Sequence, residues 1–302
     1  MHFTTGLHHI TAICSSPKEN KQFYTEVLGL YFVKKTINHD DPSTYHLYYG
    51  DKHASPGLLM TFFTWTQLPA ATRGVGETSR VFFAVPKGSF SFWLQRFREH
   101  GVSCKQVTNG FGKQQLLFSD PHGLPLGFEE RKAVLSQTST LDEEVAISGF
   151  SSVELTVSSA SLSDSSLKLL GYEKTCKKDG LFEYVNAHAS FASCVYVRED
   201  SSLPRARQGI GSVHHIAFGI DDSKQKLLQE ELVRRQLRPS HVVDRIYFHS
   251  VYFQEPAGVL FEVATNGPGF YEDEQELGST FVLPKRYEPY RDEILANLPS
   301  LD

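Results

Sequence analysis

The chain has 302 residues, 40% hydrophobic and 22% charged, and is long enough to bury two domain cores. Its 30 Lys and Arg are outnumbered by 35 Asp and Glu, so no basic surface favours a nucleic acid or an anionic membrane as partner. The four cysteines are widely spaced without a CxxC pair, which argues against a zinc ribbon or disulfide framework and is typical of a reducing compartment.

The N-terminal residues enter a strand pattern directly, and no run of residues approaches the length of a membrane span. We therefore expect a cytoplasmic protein with small-molecule ligands. No membrane and no nucleic acid is expected as a partner, whereas a homo-oligomer is compatible with the sequence.

Internal similarity divides the chain into four segments of one βαβββ unit, which predicts an α+β fold. The predicted elements, in chain order, are a strand at 7–13, a helix at 18–27 and a strand at 30–36; a strand at 81–85, a helix at 90–100 and a hairpin at 116–124; a strand at 149–153 and a helix at 162–170; and a strand at 216–220, a helix at 224–235 and a hairpin at 251–259.

Two of the turns have specific signals, Asp-Pro-x-Gly from Asp120 and Glu-Pro-x-Gly from Glu255. Pro fixes φ at the second turn position and Gly supplies positive φ at the fourth. If Glu255 and Val259 flank a three-residue loop, Tyr252 lies opposite Glu262 in the hairpin. Paired residues share a sheet face, so a phenol would then project beside the carboxylate.

Composition places the domain boundaries. Residues 1–135 are predicted to form an N-terminal domain of modules 1 and 2, and 149–270 a C-terminal domain of modules 3 and 4. The polar, Ser/Thr-rich stretch 136–148 is predicted to be a linker. Residues 271–302 form a C-terminal extension with a short helical pattern at 290–298, which we expect to pack back on the body.

Two strands from distant modules contain a His-His dipeptide, His8-His9 and His214-His215. Glu262 lies in an apolar strand, where an unpaired charge is costly unless a cation holds it. A single strand histidine is more often structural than a metal ligand, but the recurrence favours one shared site. Two imidazoles and one carboxylate form a non-haem iron(II) ligand set.

Overlaying the four modules indicates which copies carry ligands. His9 falls on Ser152 of module 3, and His215 and Glu262 fall near Arg80 and Gly127 of module 2. Only modules 1 and 4 then supply the set His9, His215 and Glu262.

These residues resemble the vicinal-oxygen-chelate proteins, which include glyoxalases, fosfomycin and bleomycin resistance proteins and extradiol dioxygenases. The chain is most similar to para-hydroquinone ring-cleaving dioxygenases and related bacterial quinone-detoxification proteins, from Gly6 to about Gly269. The resemblance implies two half-barrel domains built from four βαβββ modules. It also implies a metal held by the three ligands above, with a set of catalytic neighbours: His8, Thr11, His214, Arg245 and Tyr252.

The implied cofactor is Fe(II), with Mn(II) as an alternative, and Zn(II) or Ni(II) could occupy the same ligands in a crystal. The implied reaction is extradiol-type cleavage of a small aromatic diol, with insertion of both atoms of O2. Tyr252 and His214 are candidates for proton transfer, and Arg245 would favour an anionic substrate oxygen. His8 would orient the ligands or contact the ring.

Two alternatives remain open on the sequence. A glyoxalase-type isomerase or lyase uses the same fold and a divalent metal but commonly a second Glu ligand, where this chain has Gly127. A non-catalytic drug- or quinone-binding protein of this fold would not need a metal triad.

Overall fold

The computed structural model describes residues 3–132, 138–270 and 276–301, and it contains four successive βαβββ modules. Module 1 consists of β1 (Thr4–Cys14), α1 (Pro17–Gln22) continued by a π-helical turn (Phe23–Val27), β2 (Tyr31–Ile37), β3 (Tyr45–Gly50) and β4 (Leu59–Thr64). Module 2 consists of β5 (Glu77–Val85), α2 (Phe90–Glu99), β6 (Cys104–Thr108), β7 (Gln114–Ser119) and β8 (Pro125–Glu130).

Modules 3 and 4 repeat this order. Module 3 consists of β9 (Phe150–Val157), α3 (Ala160–Leu169), β10 (Glu173–Lys178), β11 (Leu181–Val185) and β12 (Cys194–Glu199). Module 4 consists of β13 (Val213–Ile220), α4 (Asp222–Arg234), β14 (Val243–Asp244), β15 (Phe248–Gln254) and β16 (Leu260–Pro268). A 3-10 helix (Lys285–Tyr290) and α5 (Arg291–Asn297) follow. The predicted α+β class is confirmed, as are the predicted helices to within two residues at each end.

The strands form two eight-stranded sheets, and each sheet combines two modules from different halves of the chain. The first has the order β14-β15-β16-β13-β1-β4-β3-β2, and the second has the order β10-β11-β12-β9-β5-β8-β7-β6. Module 1 therefore shares a half-barrel with module 4, and module 2 with module 3. The antiparallel pairs β1/β13 and β5/β9 join the modules.

This pairing joins modules 1 and 4, as one site built from their candidate ligands requires, whereas the predicted domains group the modules in chain order. A module's first strand needs an antiparallel neighbour, and here that neighbour belongs to a module of the other half. The boundaries themselves stay a prediction, and the one at 135/136 lies outside the described residues, as do the first residues of the predicted extension, 271–275.

The two faces of each sheet have different surroundings. The large hydrophobic core includes Leu7, Phe62 and Phe218 and extends to the helices. The opposite face of the first sheet has a smaller apolar cluster that includes Leu59, Ala217 and Phe248. His9 pairs with Ala217 of this cluster, so His9 lies on this second face. Side chains alternate between faces along a strand, so Thr11, two residues after His9, lies on the same face.

The predicted linker and extension both pack on module 1. Thr138 and Ser139 are buried, and the Ser139 hydroxyl donates a hydrogen bond to the Gly29 carbonyl. Phe281 forms an isolated bridge with Lys35. Among the described residues, none of the helices is long and apolar enough to cross a membrane.

Candidate metal centre

Three buried side chains converge on the second face of the first sheet: His9 from β1, His215 from β13 and Glu262 from β16. Their nearest ligand atoms all lie within 4.8 Å of one another. Glu262 Oε2 is 3.2 Å from His9 Nε2 and 2.9 Å from His215 Nε2. The structure thus brings together the three residues that the sequence predicts as metal ligands, from the two modules that the overlay selects.

Both His-His dipeptides lie at irregularities of the β1/β13 pairing. Leu7 pairs with Phe218 and His9 with Ala217, so His8 is an extra residue in β1. Thr11 pairs with His215 and Ala12 with Val213, so His214 is an extra residue in β13. A β-bulge of this kind re-aims a side chain that alternation would send to the other face.

The bulges bring the two rings of each dipeptide into contact. The Nδ1 atoms of His8 and His9 are 3.0 Å apart, and those of His214 and His215 are 2.8 Å apart. Only one nitrogen of each pair can carry the shared hydrogen. His8 therefore orients the ring of His9, and His214 orients the ring of His215, through this hydrogen bond.

The contact with His8 suits one tautomer of His9. Their Nδ1 atoms can share one hydrogen, and with that hydrogen on His9, Nδ1 of a neutral His8 accepts it. His9 then has its Nε2 lone pair available beside Glu262, as a metal ligand requires.

Burial keeps the first histidines neutral. Burial, together with the neighbouring His9, lowers the pKa of His8 to about 3. Burial and His215 likewise lower the pKa of His214 to about 3. Both rings are neutral near pH 7, which the tautomer assignment requires.

Glu262 is fully buried. Burial alone would raise its pKa, but the neighbouring His9 and His215 hold the pKa well below its usual range. The Ser250 hydroxyl donates a hydrogen bond to Oε1. Among the described residues, Oε2 is a buried oxygen without a conventional hydrogen-bond partner, and it is this atom that faces both Nε2 atoms.

The geometry fits a divalent cation. Metal–ligand bonds of about 2.1 Å set at right angles place neighbouring ligand atoms about 3 Å apart, close to the two separations from Glu262 Oε2. If His9 and His215 both carry their hydrogen on Nδ1, where the contacts with His8 and His214 lie, their Nε2 atoms face that oxygen with lone pairs, and a cation removes the resulting repulsion. A two-histidine, one-carboxylate set of this kind favours non-haem iron(II).

The second half-barrel has no equivalent set among its described residues. Phe82 pairs with both Ser152 and Gly127, as Ala217 pairs with His9 and Glu262. The overlay of Ser152 on His9 and Gly127 on Glu262 is therefore confirmed. A Cβ at Gly127 would lie 2.7 Å from the Phe82 ring, so that ring occupies the space a carboxylate side chain would need.

A cavity of about 270 Å³ opens beside the triad, and His9 and His215 are in its wall. Of the predicted neighbours, His214, Arg245 and Tyr252 line it. Arg245 Nε donates to Tyr252 Oη at 3.1 Å. Tyr252 pairs with Glu262 in the hairpin, as the turn predicts.

The other two predicted neighbours do not line the cavity. His8 is buried beneath His9. Thr11 is buried and hydrogen-bonded to Thr61, with 2.7 Å between the hydroxyl oxygens. A larger cleft of about 720 Å³ beside Phe23 contains none of the three candidate ligands.

Sequence reasoning missed several residues of this site. Phe248 packs against His9, with ring centroids 5.1 Å apart, and Asp40 pairs with Arg245 at 3.2 Å. Ser250 could have been found, because the hairpin register that places Tyr252 opposite Glu262 also places position 250 on the same face. Asp40 lies in a turn with no comparable signal.

Comparisons with known proteins agree with this architecture. Residues 6–128 match the model of the Glyoxalase/Bleomycin resistance protein/Dioxygenase superfamily. The chain is 40% identical, over 99% of both chains, to "Putative ring-cleaving dioxygenase MhqE" from Bacillus subtilis strain 168. The chain belongs to this superfamily and, within it, to the ring-cleaving dioxygenase family.

Another member of the ring-cleaving dioxygenase family is chlorohydroquinone/hydroquinone 1,2-dioxygenase from Sphingobium indicum. It is 31% identical over 97% of this chain and 95% of the relative. A crystal structure of a candidate dioxygenase from Bacillus subtilis has a TM-score of 0.95 at 36% identity, covering 100% of this chain and 99% of that one. The resemblance seen in the sequence and the half-barrel fold are thereby confirmed.

Glyoxalase I from Zea mays has a TM-score of 0.63 at 14% identity and covers 86% of this chain and 92% of that one. At this identity, the likeness shows the shared fold alone. It carries no argument for an isomerase activity in this member of the ring-cleaving dioxygenase family.

Proposed function

We propose that this protein is an iron(II)-dependent dioxygenase that opens the ring of hydroquinone or a substituted hydroquinone. The observation that carries the proposal is the convergence of His9, His215 and Glu262 beside a cavity. The names of the relatives support the reaction class, and the Sphingobium indicum enzyme supports a para-diol substrate. The bond opened would join a hydroxyl-bearing carbon to its neighbour.

The cavity supports a one-ring substrate. Its volume of about 270 Å³ lies just below the range of typical drug-sized ligand sites, about 300–1,000 Å³. Phe63 and Trp65 are in its wall, with ring centroids 4.9 Å apart, and aromatic walls suit a planar ring. Phe62 points instead to the core.

His9, His215 and Glu262 would hold the metal. Held by these residues, iron(II) would supply the redox chemistry that a phenolic substrate and dioxygen need in order to react. Ser250 and His8 fix the carboxylate and one imidazole in place, because each holds the ligand atom that does not face the metal position.

Arg245 and Tyr252 would act on the charged oxygen of the substrate. The guanidinium favours an ionised phenolic oxygen in the cavity. Its Nε–H donates to Tyr252 Oη, so the Tyr252 hydroxyl hydrogen is free to point elsewhere. Burial and the charge of Glu262 raise the pKa of Tyr252, which keeps this hydroxyl a proton donor at neutral pH.

His214 would supply a second hydrogen-bond donor. Its Nδ1 contacts His215 Nδ1, and a neutral ring that accepts there carries its hydrogen on Nε2. His214 lines the cavity, so this N–H can donate to oxygen that becomes negatively charged during the reaction. Tyr252 and His214 are thus the two candidates for proton transfer.

The test is oxygen uptake by protein loaded anaerobically with iron(II), on addition of hydroquinone. Catechol and a chelated sample are the controls. We expect rapid uptake with hydroquinone that the chelator abolishes, and we expect His9→Ala and Glu262→Ala proteins to contain little iron. Absence of uptake with either diol would refute the proposal, and turnover of a glutathione adduct without oxygen uptake would favour an isomerase.

The metal is itself part of this test. Loading the same protein with Mn(II), Zn(II) or Ni(II) compares metals that the ligand set can also bind. We expect turnover with iron(II), and none with Zn(II), which has no redox chemistry. Equal turnover with Zn(II) would contradict a dioxygenase mechanism.

A further inference from the structure

The cavity has a second polar element, on the wall away from Glu262, which the proposed chemistry at the metal does not use. It is a chain of three side-chain hydrogen bonds across β1, β4 and β3. Thr11 and Thr61 are joined at 2.7 Å, Thr61 Oγ1 and His46 Nε2 at 2.9 Å, and His46 Nδ1 and Tyr48 Oη at 2.8 Å. His46 and Tyr48 line the cavity.

The strand register places this chain relative to the metal centre. Tyr48 pairs with Thr61, Thr61 with Thr11, and Thr11 with His215. Tyr48 and His215 therefore belong to one row, three strand spacings apart, or about 14 Å along a flat sheet. They share a sheet face and one cavity, so Tyr48 stands across the cavity from the His215 ligand.

From this arrangement we propose that Tyr48, held by His46, binds the ring hydroxyl that does not bind the metal. This inference rests on the proposed function, because it presumes that the first hydroxyl is directed to the metal. In a para-diol the two oxygens are at opposite ends of the ring. The metal and Tyr48 would then bind one oxygen each, with the ring between them.

The hydrogen-bonding capacity of Tyr48 suits this role. Both ring nitrogens of His46 are occupied, so its ring contributes no further polar contact. A phenol can donate one hydrogen bond and also accept, and within the described part of the chain His46 is the partner seen for Tyr48 Oη. If Tyr48 donates to His46, its oxygen can accept from a substrate hydroxyl. If it accepts from His46, it can donate to a substrate oxygen.

Several other polar groups of this wall already have hydrogen-bond partners. Asp41 accepts hydrogen bonds from Trp65, Ser43 and Thr44. Asp40 accepts from Arg245, and Asn38 Oδ1 accepts from the Asp40 backbone. These contacts shape the rim of the cavity, whereas Tyr48 Oη, with His46 as its partner, can make a further hydrogen bond to the second hydroxyl.

The fold does not require this imidazole. His9 and Ser152 occupy equivalent positions in the two half-barrels. His9 pairs with Leu59, and Phe63, four residues after Leu59, pairs with His46. Ser152 pairs with Cys194, and Arg198, four residues after Cys194, pairs with Leu181. The half-barrel without a ligand set therefore has a leucine where the half-barrel with the ligand set has His46.

The test is calorimetric titration of iron(II)-loaded protein, without oxygen, with hydroquinone and with phenol, which lacks the second hydroxyl. For Tyr48→Phe we expect hydroquinone affinity to fall about three- to tenfold, as loss of one hydrogen bond implies, while phenol affinity stays within twofold. His46→Leu, which installs the residue of the other half-barrel, should reduce the preference for hydroquinone in the same direction. Tyr49→Phe is the matched control, since the neighbouring Tyr49 faces the core.

Unchanged hydroquinone affinity in Tyr48→Phe would overturn the inference, as would an equal loss for both ligands. Thermal unfolding of each variant checks that the fold is retained. If Tyr48→Phe does not fold, His46→Leu takes its place in the same comparison of hydroquinone with phenol. Because oxygen is excluded, the outcome is separate from that of the proposed function. A protein without ring-cleaving activity could still show the Tyr48-dependent preference.

Discussion

At the scale of single residues, the His-His dipeptides show what a sequence motif can and cannot reveal. The second histidine of each was identifiable as a candidate ligand, because the pattern recurs in two modules and Glu262 lies in an apolar strand. The first histidine was ambiguous, because strand alternation sends consecutive side chains to opposite faces. The bulges at His8 and His214 remove that ambiguity, and no turn or glycine signal in the sequence marks them.

The role of His8 can be tested through metal affinity. Substituting His8→Ala removes the acceptor that holds His9 Nδ1–H, so we expect iron(II) affinity to fall about 10- to 100-fold with the fold retained. Competition with a chelator of known affinity measures this, with His100→Ala, an exposed histidine, as control. An unchanged affinity would show that His9 needs no such partner.

The role of Tyr252 can be tested through turnover. Tyr252→Phe keeps the ring in the cavity but removes the hydroxyl that Arg245 holds. We expect full iron content and a turnover number about 100-fold lower, the scale of general acid catalysis. Iron analysis and oxygen uptake measure the two quantities, and a turnover equal to that of the parent protein would exclude Tyr252 from proton transfer.

At the scale of elements, local chemistry predicted more than long-range pairing. The Glu255 to Gly258 turn fixed the hairpin register, and Tyr252 does pair with Glu262. The helices follow from amphipathic spacing. The strand pattern alone did not select the partner module, because it is the same for any antiparallel neighbour, but the candidate ligands of modules 1 and 4 indicated that these two modules meet. His46 and Tyr48 also escaped prediction, since an alternating aromatic strand gives no sign that its inward residues are bonded to one another.

The second half-barrel contains a buried carboxylate, Glu129, which forms an ion pair with the partly exposed Arg131. Glu129 accepts hydrogen bonds from Gln115, Tyr196 and Arg131, and from two serines of β9. Although burial alone would raise its pKa, Arg131 and these donors hold the pKa below the usual glutamate value. A depressed carboxylate pKa contributes stability above the unfolded-state pKa, about 4.3, which is lost as the pH falls through the folded-state pKa.

Substituting Glu129→Gln should therefore lower the free energy of unfolding at pH 7, by about 1.5–3 kcal/mol, the scale for a hydrogen-bonded charged group. The difference from the parent protein should shrink as the pH falls below about 4. Urea unfolding at several pH values measures it, with the exposed Glu99→Gln as control. A difference that stays constant from pH 7 to pH 3 would contradict this account.

At the scale of the whole molecule, the cavity is assembled from distant parts of the chain. Arg245 of module 4 pairs with Asp40 of module 1 across the rim. The extension supports the same turn from outside, because Tyr287 donates a hydrogen bond to the His39 carbonyl at 3.0 Å and Arg286 donates to it as well. The expectation that residues 290–298 pack back on the body is met by α5, in which Ile294 is buried.

This support predicts a distant effect on substrate binding. Tyr287→Phe combined with Arg286→Ala releases the His39 carbonyl, so the turn at the rim should be less ordered. We expect KM for hydroquinone to rise several-fold while iron content stays unchanged. Steady-state oxygen uptake measures it, with the exposed Tyr290→Phe as control. An unaltered KM would mean that the extension does not shape the cavity.

The measurement that tests the central claim most directly is the fate of labelled dioxygen. Iron(II)-loaded protein is given hydroquinone under ¹⁸O₂, and the product is analysed by mass spectrometry after short reaction times, before carbonyl oxygen exchanges with water. The metal centre of His9, His215 and Glu262 predicts a ring-opened product containing both labelled atoms. Benzoquinone without label would instead show that the protein only oxidises the diol, and would contradict its assignment as a ring-cleaving dioxygenase.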